Sequence, residues 1–501
     1  MQDYYYLLPC ILHDSAEYFF DKTALVINGF SYSYQDIYRD SLAFSEHLKI
    51  KQYATNNRVL ILSGNTYLTI VAFWGSLFAE LVPCIVDPDV SSDVLNHMTI
   101  NIEPCLIIQK NALLSEYCGV IQHRSFFFNN NENDLAIMMH TSGSTGYPKG
   151  VMLSHRNVIA AIESISDYLG LFDDDVILSV LPLHFDYGLY QMLLAFKAGA
   201  TLVLESNALF PHFIAKKIED YKVSVLPCVP LLIQMLFLAF QQHVYDFSSV
   251  RIVTNTGESL SYQHIQKMKS LFPFAIILSM YGLTECKRCS YVPSEMLEEK
   301  WESIGIPIPN LSMWIQDSEG NQVGPNIEGE LVVSGPTVMM GYWRDCFVTD
   351  KKLKITPDNR KILLTGDRAI MDKDGYFYFK GRKDFIVKFN GAKLNCHDYA
   401  QKLMLIDGVN RAYLFLTSID DLKQLVVCIE LDSAIREQDE LKKEIAAHFT
   451  SAQRPRYWYF THQFPALGNG KLDKYQLENI AVTHFLPASI VDNLSHVVCY
   501  K

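Results

Sequence analysis

The sequence has no surplus of positive charge: 43 Lys and Arg stand against 55 Asp and Glu, for a net charge of −12. This excludes a broad electrostatic footprint for nucleic acid or an anionic membrane, so an anionic substrate must be met by a local site. No internal repeat and no low-complexity linker interrupts the 501 residues. The most apolar stretch, 223–240, is broken by Pro227, Pro230 and Gln234, and reads as a core strand followed by a buried helix rather than a membrane span. Met1-Gln2-Asp3-Tyr4 carries no basic segment of the kind that opens a signal peptide, so a cytoplasmic protein is expected. Eleven cysteines are scattered along the chain. The single Cys-x-x-Cys, Cys286 to Cys289, has neither a second pair nor spaced histidines, so it reads as two ordinary thiols rather than a zinc site, with a redox pair as the alternative.

Hydrophobic residues make up 49% and charged residues 20%, values that suit a globular chain. The length calls for more than one compact unit. Asn28-Gly29 between two apolar runs is a hairpin signal. Strand-like runs then alternate with helix-period segments: Val59–Leu62, Val82–Val86, Cys105–Ile108, Leu135–Met139, Val176–Val180, Thr201–Leu204 and Val250–Val253. One helix presents Val158, Ile162, Ile165 and Leu169 on a face, with Ser154 available as its N-cap. Such alternation predicts an α/β domain of largely parallel, helix-covered sheets. From about 311 to 380 short strands dominate (Met313–Ile315, Gly329–Ser334, Lys361–Leu364, Tyr376–Lys380), giving a small β-rich subdomain. The remainder reads as an α+β unit, with Ala412–Leu416 pairing Leu425–Leu431, a helix over Glu437–Phe449 and a strand at Tyr457–Phe460. The expected division is 1–384 and 385–501.

The most informative segment is Thr141-Ser142-Gly143-Ser144-Thr145-Gly146-Tyr147-Pro148-Lys149-Gly150. Three glycines permit close backbone approach, and successive N–H groups can form an anion-binding nest, to which hydroxyls and a lysine add donors. A triphosphate suits this set. The segment is not a Walker A loop, because Pro148 precedes Lys149 and Val151-Met152-Leu153 intervene before the next helix. The group transferred therefore need not be the γ-phosphoryl.

This loop resembles the phosphate loop of the AMP-forming adenylating enzymes, the superfamily of acyl-CoA synthetases, nonribosomal peptide synthetase adenylation domains and luciferases. Further segments resemble that superfamily's motifs, in its order, up to residue 473. In Tyr281-Gly282-Leu283-Thr284-Glu285 the resemblance implies adenine stacking by Tyr281, α-phosphate contact by Thr284 and Mg²⁺ binding by Glu285. Gly257-Glu258 resembles a turn beside the nucleotide, and Asp367 of Thr365-Gly366-Asp367 a ribose-diol ligand. In Gly381-Arg382-Lys383-Asp384, Arg382 would contact ribose or phosphate and Asp384 would be the pivot of a mobile C-terminal domain. Val387-Lys388-Phe389-Asn390-Gly391 resembles the loop lining the thiol tunnel. Gly468-Asn469-Gly470-Lys471 resembles the loop that brings the catalytic lysine, Lys471, to the site. After Gly391 the chain departs from the pattern: Ala392-Lys393-Leu394-Asn395-Cys396-His397-Asp398 keeps a basic residue and one acid but loses the other acids. The resemblance implies an AMP-forming ligase using ATP and Mg²⁺, with acyl-AMP as intermediate and a thiol as acceptor.

Leu183-His184-Phe185-Asp186-Tyr187-Gly188 bears on the acid. Amino-acid-activating relatives carry Phe-Asp where fatty-acid-using ones often carry a histidine and an uncharged residue, so Asp186 is a candidate receptor for an α-ammonium. Alternatively it caps a helix beginning at Tyr187. Phe185, Tyr187, Tyr190, Asn255, Leu278 and Met280 would form the pocket walls. With no carrier domain recognised, the expected acceptor is a separate phosphopantetheine carrier protein or coenzyme A. An acyl-CoA ligase for a fatty or aromatic acid, a luciferase-like oxygenase and an inactive nucleotide-binding scaffold are the competing readings. Retention of Lys149, Glu285, Asp367 and Lys471 opposes the scaffold.

Overall fold

The computed structural model describes residues 6–117, 128–141, 148–205, 210–258, 260–383, 386–389, 392–419, 422–431, 438–447, 455–467 and 472–485. Two compact units divide the chain. The first gathers Met1–Trp314, Val332–Thr365 and Asp372–Phe377; the second gathers Ile315–Leu331, Gly366–Met371 and Tyr378–Lys501.

A nine-stranded sheet organises the first unit. Its six central strands are Ile276–Leu283, Ile252–Asn255, Val225–Cys228, Val176–Ser179, Thr201–Leu204 and Thr23–Ile27, all parallel to one another. Antiparallel strands close both edges, Phe30–Ser33 at one and Lys287–Val292 with Ile306–Pro307 at the other. The expected hairpin turns at Asn28-Gly29, both with positive φ (52° and 80°), the conformation an Asn-Gly pair tolerates at least cost. Central strands such as Val225–Cys228 are buried on both faces, which explains their unbroken apolar runs. The stretch 223–240 gives that strand and the helix Pro230–Gln242. No helix among the described residues is long and apolar enough to cross a membrane.

A three-stranded parallel sheet (Val82–Ile85, Arg58–Ile61, Leu106–Ile108) and a three-stranded antiparallel one (Gly341–Tyr342, Lys149–Ser154, Leu135–Thr141) complete the unit. Ser154 caps the helix His155–Leu169 in a reciprocal capping box with Asn157.

The second unit contains a sheet in which Val409–Ile419 pairs antiparallel with Leu422–Leu431, and the latter parallel with Tyr457–Thr461. Period-two alternation divides its core: Leu425, Val427 and Ile429 pack with Leu403, Leu441 and Ile445, while Val426 and Cys428 pack with Leu477 and Ala481. Helices thus cover both faces.

Some strand limits differ from those read off the sequence. Val250–Val253 becomes Ile252–Asn255, and Tyr376–Lys380 becomes Phe377–Arg382. Lys361–Leu364 extends to Met371, through Gly366-Asp367. Gly366 takes φ 82° there and its N–H donates to Glu330 Oε1 (3.0 Å), so the chain continues as strand where Gly-Asp often marks a turn.

Candidate active site

The strands Leu135–Thr141 and Lys149–Ser154 are antiparallel, with Thr141 opposite Lys149. The phosphate loop therefore starts and ends at neighbouring points. Ser142, Gly143, Ser144, Thr145 and Gly146 lie outside the described residues. Lys149 does not: its Nζ lies 3.7 Å from Asp345 Oδ2 and 5.7 Å from the centre of the Tyr342 ring. With Pro148, Trp343 and Asp345 it lines a cleft of ≈ 450 Å³.

Tyr342 is a residue that motif reasoning missed. Gly341 and Tyr342 pair with Met152 and Val151, next to the lysine's strand end. From that position the Tyr342 hydroxyl donates to Glu285 Oε1 (2.6 Å), while Met339 N–H donates to the Glu285 carbonyl (2.8 Å). One aromatic side chain thus connects the phosphate-loop lysine with the expected metal carboxylate. Replacing Tyr342 with phenylalanine is expected to lower acid-dependent ATP–pyrophosphate exchange by about 10- to 100-fold, the value of one hydrogen bond to a charged group. An unchanged exchange rate would remove the positioning role.

Glu285 and Thr284 occupy the turn between Ile276–Leu283 and Lys287–Val292, and Tyr281 and Gly282 lie at the end of the first of these strands. Gly282 has no room for a side chain: a Cβ there would come 2.0 Å from the Lys287 carbonyl oxygen. Asn255 ends the adjacent strand, and its Nδ2 donates to the Glu258 carbonyl (2.9 Å) across a turn where Gly257 has φ 92°.

The expected acid-pocket residues form a second cluster. The helix starts at Asp186 itself and its N-cap is Phe185, so Asp186 is not the cap of a helix beginning at Tyr187. Among the described residues Asp186 Oδ1 accepts only the Tyr187 N–H (2.8 Å), one of the first-turn donors that no helix carbonyl can meet. Tyr187 and Tyr190 are both buried on the face this helix turns to the sheet, and the Tyr187 hydroxyl bonds Thr254 (2.7 Å to Oγ1). Leu278 and Met280 project from one side of their strand and are buried. Met280 Sδ accepts from Tyr168 (3.1 Å), whose ring stacks on Tyr291 at 4.4 Å.

Two cations enter this cluster that were not singled out in the sequence. Lys287 lies 5.6 Å from the Tyr190 ring centre and Arg288 5.1 Å from that of Tyr187. Burial pushes the Lys287 ammonium down to about 8, against the opposing pull of Asp186 and Glu285. Cys286 and Cys289 flank the pair, both buried, with sulfurs 2.8 Å apart. Burial raises the Cys286 thiol well above its ordinary value, which disfavours thiolate chemistry.

In the second unit, Asp367 is buried and its Oδ1 lies 3.6 Å from Arg382 Nε. Glu330 was not foreseen: it accepts from Gly366 N–H and pairs with Lys383 at 2.6 Å, tying the strand that carries Asp367 to the residue before the expected hinge. Asp384, Gly391 and Lys471 lie outside the described residues, as does the side chain of Lys388. The chain on either side of the lysine loop is joined by the Asp473 N–H to Pro465 carbonyl bond (2.9 Å) and an Ala466–Leu472 bridge.

Tyr342 thus brings Lys149, at the end of the expected phosphate loop, together with Glu285 of the expected adenylate turn, an arrangement that suits a nucleotide. The chain belongs to the AMP-binding enzyme family, whose model matches residues 12–343. It is 28% identical over 356 residues to zwittermicin A synthase ZmaJ of Bacillus cereus, covering 69% of this chain and 68% of that protein. Identity is also 28% over 356 residues to a long-chain-fatty-acid–CoA ligase of Salmonella typhimurium, covering 70% and 62%. Larger synthases among its relatives extend far past the match, and the chain spans only 7–20% of their length. Among solved structures, ATP-bound MatB from Rhodopseudomonas palustris has the same fold, with a TM-score of 0.84 over 96% of this chain and 99% of that one at 19% identity. The protein is an AMP-forming ligase of the adenylating superfamily.

Proposed function

We propose that this ligase activates an amino acid with ATP and passes the aminoacyl group to the phosphopantetheine thiol of a carrier protein in the cytoplasm. In the first step a carboxylate oxygen bonds to the α-phosphorus, and the bond from that phosphorus to the bridging oxygen breaks, releasing pyrophosphate. Both reactants are anions, so the protein's task is to position them and neutralise charge. Lys149, Thr141 and the loop Ser142–Gly146 hold phosphate oxygens; on binding, phosphate replaces Asp345 as the lysine's partner. Tyr281 and Gly282 face adenine, Gly257 and Glu258 flank the nucleotide, and Thr284 meets the α-phosphate. Asp367 takes the ribose hydroxyls, with Arg382 beside it.

Among the described residues no three metal-ligating side chains gather. Mg²⁺ commonly takes one or two carboxylates and completes its shell with substrate phosphates and water, so Glu285, oriented by Tyr342, fits that need. Bound there, the ion would supply charge neutralisation at the phosphates. Lys471 stabilises the charge growing on the departing pyrophosphate. In the second step the thiol sulfur bonds to the acyl carbon and AMP leaves; a turn at Asp384 would bring Lys388 and Gly391 to the thiol's path.

The observation that carries the amino-acid reading is Asp186, a carboxylate in the first turn of the pocket helix that is not its N-cap residue and has no ion-pair partner within 4.0 Å among the described residues. Replacing Asp186 with alanine is expected to cut kcat/KM for exchange with the amino acid by about 100-fold, and with its deaminated analogue by much less, because a charged hydrogen-bonding pair is lost only in the first case. Equal losses would remove the ammonium-receptor role. The acyl-CoA ligase reading draws on the likeness to the fatty-acid ligase, and exchange driven only by fatty acids would establish it.

A further inference from the structure

Lys287 and Arg288 are 5% and 6% exposed. Among the described residues Lys287 Nζ and Arg288 Nε have no hydrogen-bond partner and neither residue is within 4.0 Å of a carboxylate, although the Arg288 guanidinium also meets the Tyr168 hydroxyl. Successive strand residues ordinarily face opposite sides of a sheet. Here Lys287 adopts φ 62°, and the pairing with Ile276–Leu283 shifts between Tyr281 and Gly282. Both cations therefore turn to the same helix, over Tyr190 and Tyr187. A left-handed lysine is strained, a feature that persists where function requires it.

Two adjacent desolvated cations repel each other, and an unpaired one is costly to bury. The aromatic faces offset only part of this. Two further buried atoms in the same cluster, the Tyr190 hydroxyl and Asn255 Oδ1, also have no hydrogen-bond partner among the described residues. Polar groups left unmatched together in a buried cluster are what a site looks like when its complement is a ligand.

We infer that the acid activated by this enzyme carries a second carboxylate, received by Lys287 and Arg288, in addition to the one that is adenylated. The inference rests on the amino-acid reading above and narrows it: with Asp186 taking the ammonium, the substrate is an acidic amino acid. The charges pair group by group: Asp186 takes the ammonium and the second carboxylate faces the two cations, which leaves one positive charge of the protein in excess. A neutral amino acid leaves Lys287 and Arg288 unmatched, and a fatty acid leaves Asp186 unmatched as well.

The test is ATP–pyrophosphate exchange by the full chain with aspartate and glutamate, their amides asparagine and glutamine, the matching dicarboxylates without an amino group, and a fatty acid. At least one acidic amino acid should exceed its amide by about 100-fold in kcat/KM, since a site built for a charged group discriminates strongly against its absence. Lys287→Met should erase most of that preference without lowering the melting temperature of the substrate-free protein, because removing an unpaired buried charge relieves a cost. Arg288→Met should act in the same direction and covers the case in which the first variant fails to fold. Preference for an amide or a fatty acid, unaffected by these variants, would overturn the second-carboxylate site while leaving an adenylating enzyme. A large loss of stability with unchanged preference would also overturn it, by making the cations structural. Silence from every acid would overturn both the inference and the reading beneath it.

Discussion

Replacing Glu285 with glutamine is expected to lower acid-dependent ATP–pyrophosphate exchange by about 10²–10³-fold, the scale on which electrostatic groups at reacting phosphates act. The substitution keeps an oxygen that can accept the Tyr342 hydroxyl bond, now 2.6 Å long, and leaves the backbone bond from Met339 untouched. The melting temperature should therefore move by no more than about 2 °C, while the negative charge that would hold a divalent cation is gone. Raising the Mg²⁺ concentration should restore part of the rate. Full activity of the variant, measured by exchange at saturating ATP, would remove Glu285 from the machinery.

The second large effect concerns Lys471. Alanine there is expected to depress adenylate formation by about 10²–10³-fold, again the value of one cation at developing phosphate charge. Transfer of the aminoacyl group from chemically supplied aminoacyl-AMP to a phosphopantetheine thiol should persist within a few-fold, because that step breaks the bond to AMP rather than releasing pyrophosphate. The split between half-reactions separates a catalytic lysine from a merely structural one: a lysine needed for folding would depress both together. Quenched-flow or radiolabel assays of each half-reaction read the difference.

How much of this was legible in the sequence depended on whether the deciding interaction was local. Ser154 was readable as an N-cap because capping uses residues three apart. Asn28-Gly29 was readable because its positive φ values belong to those residue types. The alternation of strand and helix predicted the parallel sheet, since burial on both faces dictates apolar runs. Tyr342 was not legible. It reaches Glu285, 57 positions earlier, only because its strand pairs beside Lys149–Ser154, a long-range event that leaves no spacing to read. Glu330 acts on Gly366 and Lys383 in the same non-local way.

Lys287 and Arg288 show a different limit. As neighbours in a strand they read as one inward and one outward charge. The left-handed backbone at Lys287, unusual for that residue type, places both toward Tyr187 and Tyr190. Asp186 was legible as a carboxylate in the candidate segment, but its two readings could be compared only once the helix start was known, with Phe185 in the cap position.

The central claim is that the bond broken in ATP lies between the α- and β-phosphates. ATP labelled at the α-phosphorus, incubated with the protein and an acid panel that includes acidic amino acids, tests it most directly. The account predicts acid-dependent label in acyl-AMP and, on adding the thiol acceptor, in AMP, with unlabelled pyrophosphate released. Label appearing in ADP in an acid-dependent reaction would contradict it.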